Sequence, residues 1–213
     1  MNVTIDPSLD ADADLRAAVA ARAGLLEGVI NGTAAAEWRK GINWEGKPAA
    51  QLRLSDPTGA RAGADLLPAE FLNSTELETR FRDLRDALQI VRDWRAAVAR
   101  LFATIRPWCE ALPGSPRVRE QDVIVTERQS GAYTIPMLRV VRDHAAMLVY
   151  PVGAWVVGWD GQVDLDGPGG PFTLLYSRPL AGWFHYKKTM PIGPAVPLTE
   201  ELFRELAEAC LDG

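Results

Sequence analysis

The side chains that carry most catalysis and metal binding are scarce in this chain, which has 2 histidines and 2 cysteines among 213 residues. So few thiols cannot form the disulfide framework of a small secreted domain. A structural zinc site needs several cysteines or histidines at close spacing, and no such spacing occurs. Cys109 and Cys210 each lie on the apolar side of a predicted helix, so we expect buried, reduced thiols.

Motifs for catalysis or phosphate binding are also missing. The sequence has no G-x-S-x-G nucleophile elbow. The acidic segment 160–167 (DGQVDLDG) lacks the ligand spacing of a calcium loop, so its carboxylates are interpreted as turn residues. The glycine-rich segment 167–171 (GPGGP) precedes neither Lys-Ser/Thr nor a helix, which favours a turn between strands. These features favour a non-enzymatic protein with no catalytic residue, no cofactor and no metal.

The chain has no excess of positive charge. Its formal net charge is -5, and it contains no run of Lys or Arg, so we expect no binding to nucleic acid or to an anionic membrane surface. No apolar segment has the length of a membrane span. The N-terminal residues are acidic, where a signal peptide would be basic and apolar. The sequence therefore predicts a cytoplasmic protein.

The longest periodic segment covers residues 75–112 and predicts one long helix. Thr75 begins it with a T-x-x-E capping box, and Pro107 is expected to kink or end it. Its apolar residues recur in steps of four and three, and Arg95 takes one position of the stripe. The apolar positions are Leu77, Phe81, Leu84, Leu88, Val91, Val98, Phe102 and Ile105. The widening of this stripe in the second half indicates that the second half is the more deeply buried.

Shorter elements flank this helix. Residues 14–30 predict an amphipathic helix, and residues 37–55 predict a weak hairpin. After Pro113 the pattern becomes extended. The predicted strands cover 117–128, 132–141, 145–159, 162–166, 172–177 and 183–188, and a last helix capped by Thr199 covers 200–211. Pro136 indicates an edge strand or a bulge. Asp160 and Gly161 predict a two-residue type I′ turn between the third and fourth of these strands.

This order of elements predicts an α+β fold. We expect an antiparallel meander sheet of five to six strands, packed by the long central helix and by N- and C-terminal helices. Residues 1–213 are expected to form a single α+β domain, with a helical N-terminal half (1–112) and the sheet plus C-terminal helix in 117–213.

Aromatic residues are concentrated in the predicted sheet. The chain has 7 tryptophans, and large rigid aromatics with polar tips are enriched at the centres of interfaces as well as in cores. The candidate binding residues are Trp155, Trp159, Trp183, His185 and Tyr186. We interpret the protein as a binding or regulatory protein that acts through a helix or sheet interface. The alternative is an enzyme or small-molecule sensor with an aromatic pocket near His185.

The partner is expected to be a second copy of the chain or another protein. The long helix offers an apolar stripe longer than one small sheet can bury, and pairing by twofold symmetry is the commonest solution. The candidate interface residues are Leu77, Phe81, Leu84, Leu88 and Arg95. The far face of the sheet is the other surface that such a homodimer could bury.

Overall fold

A computed structural model describes most of the chain after residue 75 and parts of the chain before it. The described residues are 2–7, 13, 16–17, 19, 35–42, 46–55, 60–63, 67–68, 76–186 and 195–212. They form two compact units, one made of 1–92 with 126–133 and the other made of 93–125 with 134–213. The single α+β domain that the sequence predicts stays a prediction.

A small sheet lies in the first unit. Strand β1 (Asn2–Ile5) pairs in parallel with β2 (Ala35–Ile42), and β2 pairs antiparallel with β3 (Pro48–Ser55). The short strands β4 (Arg61–Gly63) and β5 (Leu67–Pro68) both pair with β3. The β2–β3 hairpin confirms the hairpin predicted over 37–55. The other three strands were not predicted, because segments of two to four residues carry too little alternation to be recognised. The helix predicted over 14–30 lies mostly outside the described residues.

Helix α1 (Glu76–Glu110) is the long helix that the periodicity predicts. It continues through Pro107 and ends three residues later, which is close to the predicted end. Its capping residue, Thr75, lies outside the described residues. Its buried side chains follow the predicted stripe, and they are Leu84, Ala87, Leu88, Val91, Trp94, Ala97, Val98, Leu101, Phe102, Ile105 and Cys109.

The remaining strands form one seven-stranded antiparallel meander in chain order. They are β6 (Arg117–Glu127), β7 (Gly131–Arg142), β8 (Ala145–Gly153), β9 (Gln162–Asp166), β10 (Phe172–Ser177), β11 (Gly182–Tyr186) and β12 (Val196–Pro197). The sheet thus has seven strands rather than five to six, because the two residues of β12 add an edge that no sequence pattern indicates.

Helix α2 (Glu200–Asp212) ends the described chain and contacts β8 and β9. Thr199 caps it as predicted, because its Oγ1 accepts a hydrogen bond of 3.2 Å from the backbone N–H of Leu202. The ring of Phe203 lies 5.7 Å from the ring of Trp108, so α2 also packs against the last turns of α1. The mixed helix and antiparallel sheet expected from the sequence is confirmed at this level.

Alternation along the strands gives the seven-stranded sheet two distinct faces. The core face carries Leu138, Val140, Met147, Val149, Val163, Leu165, Leu174 and Tyr176, which are buried, and Trp183 and His185, which are half-buried. Helix α1 covers part of it, because the rings of Trp94 and Trp183 are 5.8 Å apart. The outer face carries Arg139, Ala146, Leu148, Tyr150, Gln162, Asp164, Asp166, Thr173, Leu175, Phe184 and Tyr186.

The connection between β8 and β9 differs from the prediction. Strand β8 ends at Gly153 rather than at residue 159, and a tight turn follows in which Trp159 N–H donates to the carbonyl of Val156. Gly158 has a φ of +80° there, while Asp160 does not have a positive φ. The type I′ turn predicted at Asp160 and Gly161 is therefore wrong. Instead, the Asp160 N–H donates to the carbonyl of Tyr176 in β10, and the Tyr176 N–H donates to the carbonyl of Gly161.

A two-residue hairpin turn does occur, at Asp143 and His144 between β7 and β8. Arg142 pairs with Ala145 across it, and Asp143 has a φ of +52°. Of the two alternatives predicted for Pro136, the edge strand is wrong, since β7 lies between β6 and β8, and the bulge stays a prediction. The residues of β7 that pair with β8 begin at Leu138, so the missing N–H of the proline falls outside that ladder.

Candidate functional site

A row of side chains crosses four strands of the outer face. Tyr150 on β8 lies opposite Asp164 on β9, Asp164 lies opposite Thr173 on β10, and Thr173 lies opposite Tyr186 on β11. All four side chains are partly exposed. Directly opposite residues of neighbouring strands stand on the same face, so the row presents two phenol rings around a central carboxylate and hydroxyl. We call these four residues the aromatic row.

The centre of the aromatic row is fixed by hydrogen bonds. Asp164 Oδ1 accepts one bond of 2.9 Å from Thr173 Oγ1 and another of 2.9 Å from Gln162 Nε2. Hydrogen bonds to a charged group are stronger than bonds between neutral groups. The polar side chains in the middle of this surface are therefore held in one arrangement before anything binds.

A second pair of aromatic rings adjoins the row. Phe184 stands two residues from Tyr186 on the same face of β11, and its ring centroid lies 5.6 Å from that of Trp159. The two planes are tilted by 48°, a geometry that aromatic pairs favour. Both rings are partly exposed. The outer face of β8–β11 thus combines four aromatic rings with a rigid polar centre.

The five predicted binding residues are divided between the two faces. Tyr186 lies on the outer face, and Trp159 joins it there through Phe184. Trp183 and His185 point to the core face. Trp155 lies in the connection after β8 and is half-buried. The structure therefore does not bring the five together into one pocket.

His185 has partners that suit a structural residue. Its Nδ1 lies 3.2 Å from the carbonyl oxygen of Thr173, and its ring lies 6.3 Å from that of Phe172. His185 does not line the depression on the outer face that is described below. The aromatic pocket near His185 stays a prediction.

The predicted interface residues of α1 have mixed surroundings. The side chains of Leu77 and Phe81 lie outside the described part of the structure. Leu84 and Leu88 are 5% and 2% exposed within the single chain, and Arg95 is half-buried. The two leucines are already covered, so they offer no exposed apolar surface to a partner. Their role in an interface stays a prediction without support from this burial.

The two thiols are buried and free, as the sequence predicts. Burial raises the pKa of Cys109 to about 12, with a smaller contribution from the charge of Glu110. Burial also raises the pKa of Cys210 to about 11, aided by the charge of Asp166. Both groups are neutral thiols near neutral pH, which is the opposite of an activated nucleophile.

The outer face also carries an open depression with a volume of about 490 Å³. It lies toward β6–β9, away from Tyr186. Its lining consists of Gln121, Met137, Arg139, Ala146, Leu148, Asp166, Gly167 and Pro168. None of these residues was predicted as a site. The alternation in β8, which places Ala146, Leu148 and Tyr150 on one face, could have indicated this site. The residues between these three positions are also apolar, so the alternation was not recognised.

The glycine-rich segment 167–171 packs against the end of α2. Gly169 N–H donates a bond of 2.9 Å to the carbonyl of Cys210, and a Cβ at Gly169 would lie 1.8 Å from the carbonyl oxygen of Ala209. The segment connects β9 to β10, which confirms the turn that the sequence predicts. Glycine is needed there because a backbone carbonyl of the helix approaches so closely.

Comparison of the chain with protein-family models, with curated proteins and with solved structures gives no match. Within the described ranges, no group of three or more His, Cys, Asp or Glu side chains is arranged to hold a metal ion. No helix in the described part of the chain is long and apolar enough to cross a membrane.

Proposed function

We propose that this is a non-enzymatic binding protein, that its binding surface is the aromatic row with the adjoining Trp159 and Phe184, and that its partner there is a second copy of the chain. The observation that carries the proposal is the partly exposed row of Tyr150, Asp164, Thr173 and Tyr186 with its fixed centre. Tyrosine and tryptophan are enriched at the energetically dominant positions of interfaces. Rigid rings on strands also lose little conformational entropy when they bind.

The order of residues in the row favours a second copy as the partner. Tyrosines stand at both ends, and a carboxylate and a hydroxyl stand between them. When two such faces pack about a twofold axis that runs along the strands between β9 and β10, Tyr150 of one copy faces Tyr186 of the other. Asp164 then faces Thr173 of the other copy, so the polar centres meet each other while each Thr173 hydroxyl keeps its bond to Asp164 of its own chain. A surface that complements itself in this way suits an isologous contact.

The test is the mass of the protein in solution and its response to outer-face substitutions. Light scattering over a concentration series should give twice the chain mass for the unaltered protein. Phe184→Glu and Tyr186→Glu replace aromatic rings of this surface by a negative charge and should give a folded monomer, with the fold checked by circular dichroism. Val157→Glu is the matched control, because Val157 is fully exposed in the turn before β9, and this variant should remain a dimer.

Light scattering also distinguishes this interface from one formed by the apolar stripe of α1. Leu84→Glu places a charge where the side chain is 5% exposed and should therefore unfold the protein rather than separate two folded copies. If Leu84→Glu instead gives a folded monomer while Tyr186→Glu remains a dimer, the interface lies on the helix. A monomeric unaltered protein would also contradict the proposal.

A further inference from the structure

The depression on the outer face has an apolar floor between two opposite charges. Leu148 on β8 lies directly opposite Arg139 on β7 on one side and opposite Asp166 on β9 on the other. Ala146 and the buried Met137 extend the floor. Neighbouring strands are about 4.8 Å apart, so the Cα atoms of Arg139 and Asp166 are separated by about 10 Å.

Arg139 and Asp166 are both exposed, and neither belongs to an ion pair among the described residues. Among the described residues, Arg139 and Asp166 form no ion pair or hydrogen bond with each other or with a third side chain. Other arginines of this unit do find acids, since Arg106 pairs with Glu120 at 2.6 Å and Arg178 pairs with Asp93 at 3.4 Å. The depression therefore holds one guanidinium and one carboxylate that are both open to a ligand.

The two separate charges on an apolar floor favour a small molecule as the ligand. The depression is shallow and open to solvent, with a volume of about 490 Å³. A small molecule can fill it, and this size falls in the range of small-molecule sites. The loop residues Gly167 and Pro168 form one wall, and Gly167 is held by its packing against Cys210, so that wall is in place before binding.

We propose that the depression binds a small zwitterionic molecule, with its anionic group on Arg139, its cationic group on Asp166 and its apolar segment on Leu148. Arg presents several N–H donors to an anion, and a carboxylate accepts bonds from an ammonium group. The spacing requires the two charged groups of the ligand to be separated by a short apolar chain. This site adjoins the aromatic row, because Leu148 and Asp166 stand two residues from Tyr150 and Asp164 on the same face, so its test uses the monomeric Tyr186→Glu variant beside the unaltered protein.

Three probes with similar apolar chains test the proposal by isothermal titration calorimetry: ε-aminocaproate, caproate and hexylamine. We expect ε-aminocaproate to bind about threefold to tenfold more tightly than either of the others, because each exposed ion pair contributes modestly. Arg139→Gln should weaken ε-aminocaproate and caproate by a similar factor and leave hexylamine unchanged. Asp166→Asn should weaken ε-aminocaproate and hexylamine and leave caproate unchanged.

Controls separate this site from general charge effects and from the dimer. Arg100→Gln removes an exposed arginine of α1 and should change none of the three affinities. The Tyr186→Glu variant leaves the outer face free, so it should bind ε-aminocaproate at least as tightly as the unaltered protein does. Shifts of the Leu148 and Ala146 methyl resonances during the titration should locate the ligand. Equal affinity for the three probes, no binding of any, or shifts confined to other residues would overturn the proposal.

Discussion

Gly161 lies against the indole ring of Trp94, so closely that a Cβ at position 161 would come within 2.2 Å of Trp94 Cζ3. Trp94 is 1% exposed and lies on α1, while Gly161 directly precedes β9. This close approach brings the long helix onto the core face of the sheet, beside Trp183. Gly161 is thus required by packing rather than by the hairpin turn that the Asp-Gly pair predicts.

Gly161→Ala is expected to destabilise the protein by about 3 kcal/mol or more, because the added methyl group overpacks a buried ring. Gly158→Ala is the matched control three residues earlier. Gly158 has a φ of +80°, yet nothing lies within 4 Å of its Cβ position, so the substitution should cost only the strain of about 1–2 kcal/mol. Urea unfolding measures both values.

A double-mutant cycle checks the cause. Trp94→Leu removes the clashing ring, so Gly161→Ala should cost at least about 1 kcal/mol less in that background. If the two glycine variants are equally stable, or if Gly161→Ala costs the same with and without the ring, the contact does not determine the stability at this position.

The loop between β9 and β10 gives a second pair of glycines for comparison. Gly169→Ala is expected to cost about 2–3 kcal/mol, because the new methyl group would meet the carbonyl oxygen of Ala209 and must displace the end of α2. Gly170→Ala meets no atom within 4 Å and should cost about 1–2 kcal/mol for its φ of +94°. Hydrogen exchange should show faster opening of the last turn of α2 in the first variant alone.

The strands show which part of the fold the sequence predicts. The bounds predicted for β9 and β10 agree with the structure, because short alternating segments there are bounded by Gly, Pro and turn residues. The apolar run 145–159 did not mark the end of β8, since apolar composition alone does not distinguish a strand from a turn that follows it. Val157, which is fully exposed, lies in that misassigned part.

The candidate site was less predictable than the strands. Alternation correctly placed Trp183 with His185 and opposite Tyr186, but it does not say which of the two faces the helices cover. That depends on contacts distant in sequence, such as Trp94 with Trp183. The depression depends on register across three strands, because Arg139, Leu148 and Asp166 become neighbours only after β7, β8 and β9 pair.

The raised thiol pKa values predict a loss of stability at alkaline pH. The ordinary value of 9.0 is raised to about 12 for Cys109 and to about 11 for Cys210 in the folded protein. An unfolded chain therefore loses these protons before the folded chain does. The stabilisation is complete below about pH 9 and is lost progressively as pH rises through about 11 and 12.

Unfolding free energies measured between pH 8 and about pH 11 should therefore decline. Cys109→Ala should reduce the slope of this decline, although it also lowers stability at every pH by leaving a cavity. Near neutral pH, neither thiol should react with iodoacetamide until the protein is unfolded. Rapid labelling of the folded protein, or an unchanged slope in the alanine variant, would contradict the burial of these thiols.

Isotope-filtered nuclear Overhauser spectroscopy can detect the proposed contact between the outer faces of two sheets. A mixed sample of labelled and unlabelled chains reports only contacts between different copies. We expect intermolecular signals between the ring of Tyr150 in one copy and that of Tyr186 in the other, with further signals from Phe184. Intermolecular signals confined to α1 or to β6, or none at concentrations where light scattering shows a dimer, would contradict it.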